Sequence, residues 1–155
     1  MFLKPEKLFK CFADVFAAMF SHRDTAEDKT NRVEIADVDE DSLEQLLRFI
    51  YTDKIEEANL TTLACGLLTA VDKYNVPRLK AVCERVICDN LEVSKAAQAL
   101  VLAHLHEAKQ LKKVAVDYVT QNIVKVSESP GWRQIVGGNE VLGDILKSVM
   151  LKLKQ

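Results

Sequence analysis

Apolar residues recur at three- and four-residue steps along most of the chain, and that spacing predicts helix after helix. Phe9, Phe12, Phe16 and Phe20, with Leu8 and Met19 beside them, give a helix over 8–20 a broad aromatic face that must be buried. The polar stretch 21–32 has no period and reads as a loop, and the alternation Val33-Glu34-Ile35 after it suits one short strand. Asp41 and Ser42 offer caps to a helix carrying Leu43, Leu46, Leu47 and Ile50, which Thr52-Asp53-Lys54 breaks. Caps recur at Asn59 to Thr62, ahead of a stripe of Leu63, Leu67, Ala70 and Val71 that stops near Asn75. Pro77 then suits the first turn of a helix with Leu79, Val82, Cys83, Val86 and Ile87 on one face.

The next segment differs. From Ser94 to His106, Ala96, Ala97, Ala99, Leu100, Val101, Leu102, Ala103 and Leu105 surround the helix with apolar groups, so it is expected to be covered on several sides. Leu111, Val114, Ala115 and Tyr118 form one stripe of the following helix, and Val116, Val119 and Ile123 form a second. Ser129-Pro130-Gly131 is a strong break, Trp132 to Val136 a short buried turn, and Gly137-Gly138-Asn139 another break. A last amphipathic helix carries Leu142, Ile145, Leu146 and Val149. This makes seven helices and one strand, a mainly α fold; helix pairs from Asn59 onward suggest stacked hairpins without a residue-level repeat.

Composition narrows the chemistry. With 155 residues, 48% of them hydrophobic, and only five Gly and three Pro, the chain is too apolar for disorder and too poor in turn residues for a many-stranded barrel. A formal charge of −2 and the absence of a basic block argue against nucleic acid as a partner. No apolar run reaches the roughly 18–20 residues of a membrane helix, so no membrane partner is expected. The start MFLKPEK lacks the apolar run of a signal peptide, which points to a reducing compartment. Cys11, Cys65, Cys83 and Cys88 show no C-x-x-C spacing, and His104 and His106, two apart, diverge on a helix, so neither metal nor cofactor is expected. The acidic run Asp37, Asp39, Glu40, Asp41 lacks the glycine and late glutamate of a calcium loop and suits a helix N-terminus. No phosphate-binding glycine pattern and no nucleophile constellation occur, so the chain is not expected to be an enzyme.

Val15-Phe16-Ala17-Ala18-Met19-Phe20, the charged loop, Asn31-Arg32-Val33-Glu34-Ile35 and Phe49-Ile50-Tyr51-Thr52 together resemble a BTB/POZ domain. The likeness continues through Ala70-Val71-Asp72-Lys73-Tyr74, Leu79-Lys80, Cys88-Asp89-Asn90-Leu91, Ala96-Ala97, Leu100, Leu102-Ala103, Leu105-His106, Gln110-Leu111-Lys112, Ala115-Val116-Asp117 and Gly131-Trp132, which look like the speckle-type POZ protein (MATH-BTB) group. The resemblance implies a partial BTB/POZ domain over 1–90 with at most a small residual sheet. A helical pair called the 3-box and a shortened BACK region would follow over 91–155. It also implies a non-catalytic substrate adaptor of a cullin-3 RING ubiquitin ligase in the nucleus or cytoplasm, the alternative being a BTB/BACK oligomerisation module that does not recruit cullin.

Residue by residue, the cullin-facing positions implied are Thr25, Ala26, Glu27, Leu100, Leu102 and Leu105. Thr25 stands where the group's motif has a large apolar side chain, which implies weaker cullin affinity. Ile145, Leu146 and Val149 correspond to the self-association surface of the BACK region, and the same stripe equally suits ordinary core. The group precedes Val15 with a MATH domain, the first BTB strands and the leading dimer helix, whereas here only Met1 to Asp14 does so. The resemblance therefore implies an N-terminally truncated member, whose partners are cullin-3, itself or BTB-containing relatives, and substrates only through a missing MATH-like domain.

Overall fold

The computed structural model describes residues 38–55, 57–137 and 142–145. Among these the elements are α1 (Glu40–Thr52), α2 (Glu57–Lys73), α3 (Pro77–Asp89), α4 (Val93–Leu105), α5 (Lys109–Gln121), α6 (Ile123–Ser127) and α7 (Trp132–Gly137), then one helical turn over 142–145. No strand occurs among the described residues, as the mainly α expectation requires; the proposed strand 33–35 and the aromatic helix 8–20 lie outside them. The chain divides into two compact units, Met1–Cys83 and Glu84–Gln155.

In the first unit the cap of α1 is Asp39, two residues before the expected Asp41. Its Oδ1 accepts the Ser42 N–H at 2.8 Å, and Glu40 and Asp41 follow in the first turn, where the helix dipole favours acids. The inner face also differs from the expected stripe. Ser42, Gln45, Leu46, Phe49 and Ile50 are buried, while Leu43 and Leu47 are only half-buried. A small polar residue can line that face because Gly66 in α2 leaves room for it: a Cβ there would stand 2.8 Å from both Asp39 Oδ2 and Ser42 Oγ. A mid-helix glycine costs about 1 kcal/mol against alanine, and this close approach explains its presence.

The α2 helix begins at Glu57, ahead of the expected caps at 59–62, because Glu57-Ala58 are themselves good helix formers. It ends on Asn75, whose φ of 52° is left-handed, with Val76 N–H bonded to Val71 O at 2.9 Å. That i→i−5 closure satisfies the last carbonyls and leaves Val76 buried against the core side. Pro77 starts α3 at once, at the position where its missing N–H costs nothing. Arg78 grips Asp53 with both guanidinium nitrogens, at 3.0 and 3.1 Å, joining the end of α1 to the start of α3. The buried set runs through Leu46, Phe49, Leu60, Leu67, Leu68, Val71, Tyr74, Leu79 and Cys83, so Cys83 is core filling.

The second unit is organised around α4. Ala96, Ala97, Leu100, Ala115, Val119, Val126, Ile135 and Ile145 form one buried cluster, with Val93, Val101, Val116, Tyr118, Ile123, Trp132 and Leu142 packed against it. The α4–α5 corner repeats the device at Asn75: Glu107 sits at φ 51° and Ala108 N–H reaches Ala103 O at 2.9 Å. In α5 the buried line is Leu111, Ala115, Val119, a single i, i+4, i+8 row taken from both expected stripes, and Val114 points out. The expected helix through Ile123 is broken at Asn122, whose Nδ2 donates to Tyr118 O at 3.0 Å and turns the chain into α6.

Two outcomes follow. Gly66→Ala is expected to lower stability by about 1 kcal/mol, because overpacking outweighs the gain in helix propensity. In an Asp39→Ala background the same change is expected to cost less; urea denaturation of the four proteins decides it, and a gain in stability from Gly66→Ala alone would refute the contact. The bond from Ser42 N–H, with its nearby hydroxyl adding to the field, holds the Asp39 carboxyl below its ordinary value despite some opposing desolvation. The unfolded chain therefore takes up the proton first, so this contribution is complete above the ordinary carboxylate range and is lost as pH falls through it. Asp39→Asn is expected to flatten that part of the acid limb in a pH series of thermal melts.

Candidate interaction surface

Helix α4 separates its apolar residues into two faces. Ala96, Ala97, Ala99, Leu100 and Ala103 are buried, whereas Leu105 is 66% exposed and Leu102 is half-buried. At about 100° per residue, Leu102 and Leu105 lie roughly 160° and 140° round the helix from Leu100. The three leucines singled out in the sequence are therefore not one patch: Leu100 belongs to the core, and Leu102 with Leu105 points away from it. Val101 straddles the two, packed partly on the core cluster and about 40° from Leu105 on the outer side. The all-round apolar character of this segment thus reflects one buried face and one only partly covered face among the described residues.

Polar groups fix the ends of this helix. Glu92 stands before α4 in extended conformation and, rather than capping it, accepts from Lys95 Nζ at 2.6 Å, which holds its carboxyl low. Toward the other end, Lys112 of α5 lies 3.2 Å from His104 Nδ1 and 2.6 Å from Asp144 Oδ2, linking α4, α5 and the turn 142–145. Nothing in the spacing of His104, Lys112 and Asp144 marks that meeting; it arises from the α4–α5 hairpin. Both ends of the Lys112–Asp144 pair are about a third exposed, so it directs the turn more than it stabilises it.

The remaining candidate positions fall as follows. Ile145 is buried in the core cluster of the second unit, on the core side of the alternatives open for it, and Leu146 and Val149 lie outside the described residues. Thr25, Ala26 and Glu27 also lie outside them. Exposed apolar side chains that the periodicity had placed on inner stripes or in a buried turn are Val114 and Val136, and Val124 is exposed too. Among the described residues no group of three His, Cys, Asp or Glu side chains is arranged to hold a metal ion, and no helix is long and apolar enough to cross a membrane. Burial, with Asp89 and Glu84 beside it, pushes the Cys88 thiol up, which keeps it protonated and a poor nucleophile at neutral pH.

The arrangement offers a surface for contact. Comparison with family sequence models matches residues 8–91, more than half of the chain, to a model described as BTB/POZ domain.

Proposed function

Because the chain belongs to the BTB/POZ family of protein-interaction domains, we propose that it is a non-catalytic adaptor for a cullin-3 RING ubiquitin ligase, of the speckle-type POZ kind. Residues 1–90 supply the BTB/POZ part, and 91–155 supply the 3-box pair and a shortened BACK region. Ubiquitin transfer is promoted by proximity: a substrate held on the cullin scaffold meets the ubiquitin-loaded enzyme at high effective concentration. Substrate contact is assigned to a separate MATH-like domain, and the compartment to nucleus or cytoplasm.

The observation that supports this reading most is the outward side of α4, which follows the matched domain and carries Leu105, 66% exposed, beside the half-buried Leu102. An exposed leucine beside a half-buried one on an otherwise well-packed helix is the kind of anchor that a partner pocket desolvates. A second reading, an oligomerisation module that does not recruit cullin, is favoured by Thr25, where the group's motif has a large apolar side chain.

Calorimetry against the cullin-3 N-terminal domain separates the two. Leu105→Asp is expected to weaken binding at least tenfold with helicity unchanged, since an apolar anchor of this size contributes about 1.5–3 kcal/mol when buried. Thr25→Met is expected to strengthen it by about 1 kcal/mol, as an added apolar group enters the pocket. No binding by any of the three proteins would put the oligomerisation reading first.

That second reading has its own outcome. The paired substitution Leu146→Asp and Val149→Asp is expected to abolish self-association in sedimentation while circular dichroism stays intact. Loss of helicity would instead assign the stripe to the core that already holds Ile145, and an unchanged assembly state would remove the C-terminal surface from the proposal.

A further inference from the structure

The break Ser129-Pro130-Gly131 is used by neither reading above, yet it is tied closely to the core of the second unit. Ser129 closes α6 twice over: its N–H bonds to Val126 O at 3.0 Å and its Oγ donates to the same carbonyl at 2.6 Å. Its own carbonyl then accepts the Trp132 N–H at 3.1 Å, which starts α7. Gly131 presses on α4 so closely that a Cβ there would stand 2.9 Å from Ala97 Cβ. Trp132, the chain's one tryptophan, packs against the buried cluster. The seating of this turn thus depends on a hydroxyl that must act as a donor. The same hydroxyl belongs to a Ser-Pro pair, the recognition unit of proline-directed protein kinases, and its neighbours Ser127, Glu128 and Pro130 are exposed.

We propose that Ser129 is a phosphorylation site and that its modification unseats the turn from α4. In the reaction Oγ forms a bond to the γ-phosphorus of ATP as the bond to ADP breaks, and the hydroxyl proton passes to the kinase's base. A phosphoryl oxygen can no longer donate to Val126 O, and a group of about −1.5 to −2 charge is repelled by that carbonyl and by Glu128. The phosphate turns to solvent, where exposed Lys125 and Arg133 flank the turn on either side in sequence. The closure of α6 keeps its backbone bond but loses the side-chain one, and the seating of Trp132 loosens with it. This holds whether or not α4 carries a cullin.

The test uses the full chain, a proline-directed serine/threonine kinase with Mg-ATP, and a synthetic peptide of residues 122–137 as a substrate control. Mass spectrometry is expected to place phosphate on Ser129 in the chain and none in Ser129→Ala. Modified chain is expected to show red-shifted Trp132 emission and about fivefold to tenfold faster amide exchange over 132–135, the size expected for one lost hydrogen bond. Phosphatase treatment is expected to restore both signals. Phosphorylation of the peptide with none at Ser129 of the folded chain would overturn the site. Phosphate on Ser129 with emission and exchange unchanged would overturn the switch.

Discussion

The second unit rests on the small side chains of α4. Four of the five residues on its buried face are alanine, and these let neighbouring backbones come closer than larger residues would allow. At Ala97 the neighbour is a glycine, the only residue that fits the Ser129–Trp132 turn at that distance. Leu111, Ala115 and Val119 supply a matching row from α5. Leu100, the one large residue of the α4 face, fills the middle of the cluster. Enlarging any of these alanines would force the hairpin apart before it gained apolar burial. The outer face is under no such constraint, which is why leucine can occupy it without cost to packing.

The corners obey a second economy. Among the described residues three hold left-handed backbone, Asp53, Asn75 and Glu107, and none is glycine. Asparagine and aspartate tolerate that region, while glutamate there costs about 1 kcal/mol. At Asn75 and Glu107 the cost is offset by an i→i−5 bond and by a buried apolar residue immediately after, Val76 in one case and Ala108 in the other. Each of those residues also accepts the first bond of the next helix, from Lys80 and Lys112. One residue therefore ends a helix and begins another, and the connections stay short enough to fix how consecutive helices meet.

These two features explain how the described part of the chain presents a defined surface. A short corner holds α5 against α4, and Lys112 then reaches both His104 and Asp144. Leu102 and Leu105 are held outward by the same alanine packing that keeps Leu100 inward. Membership of the BTB/POZ family agrees with such a protein-contact role.

The sequence by itself determined the helical class, the places of most helices and the breaks between them, because three- and four-residue periodicity, Pro77 and the Ser129-Pro130-Gly131 turn act locally. It also carried the family likeness, spread over motifs such as Phe49-Ile50-Tyr51-Thr52 and Ala70-Val71-Asp72-Lys73-Tyr74. Only the tertiary structure decided which side of each helix is inner. Packing against α2, with the space beside Gly66 taken up by Asp39 and Ser42, put Ser42 and Gln45 inside and left Leu43 and Leu47 half out, an outcome that hydrophobicity alone would reverse. Likewise Asn122 breaks a helix whose apolar pattern runs on, since its side chain competes for the Tyr118 carbonyl. The division of Leu100 from Leu102 and Leu105 has the same origin. An all-apolar helix has no intrinsic inside, and the neighbours that choose one are α5, α6 and α7, which fold back onto it.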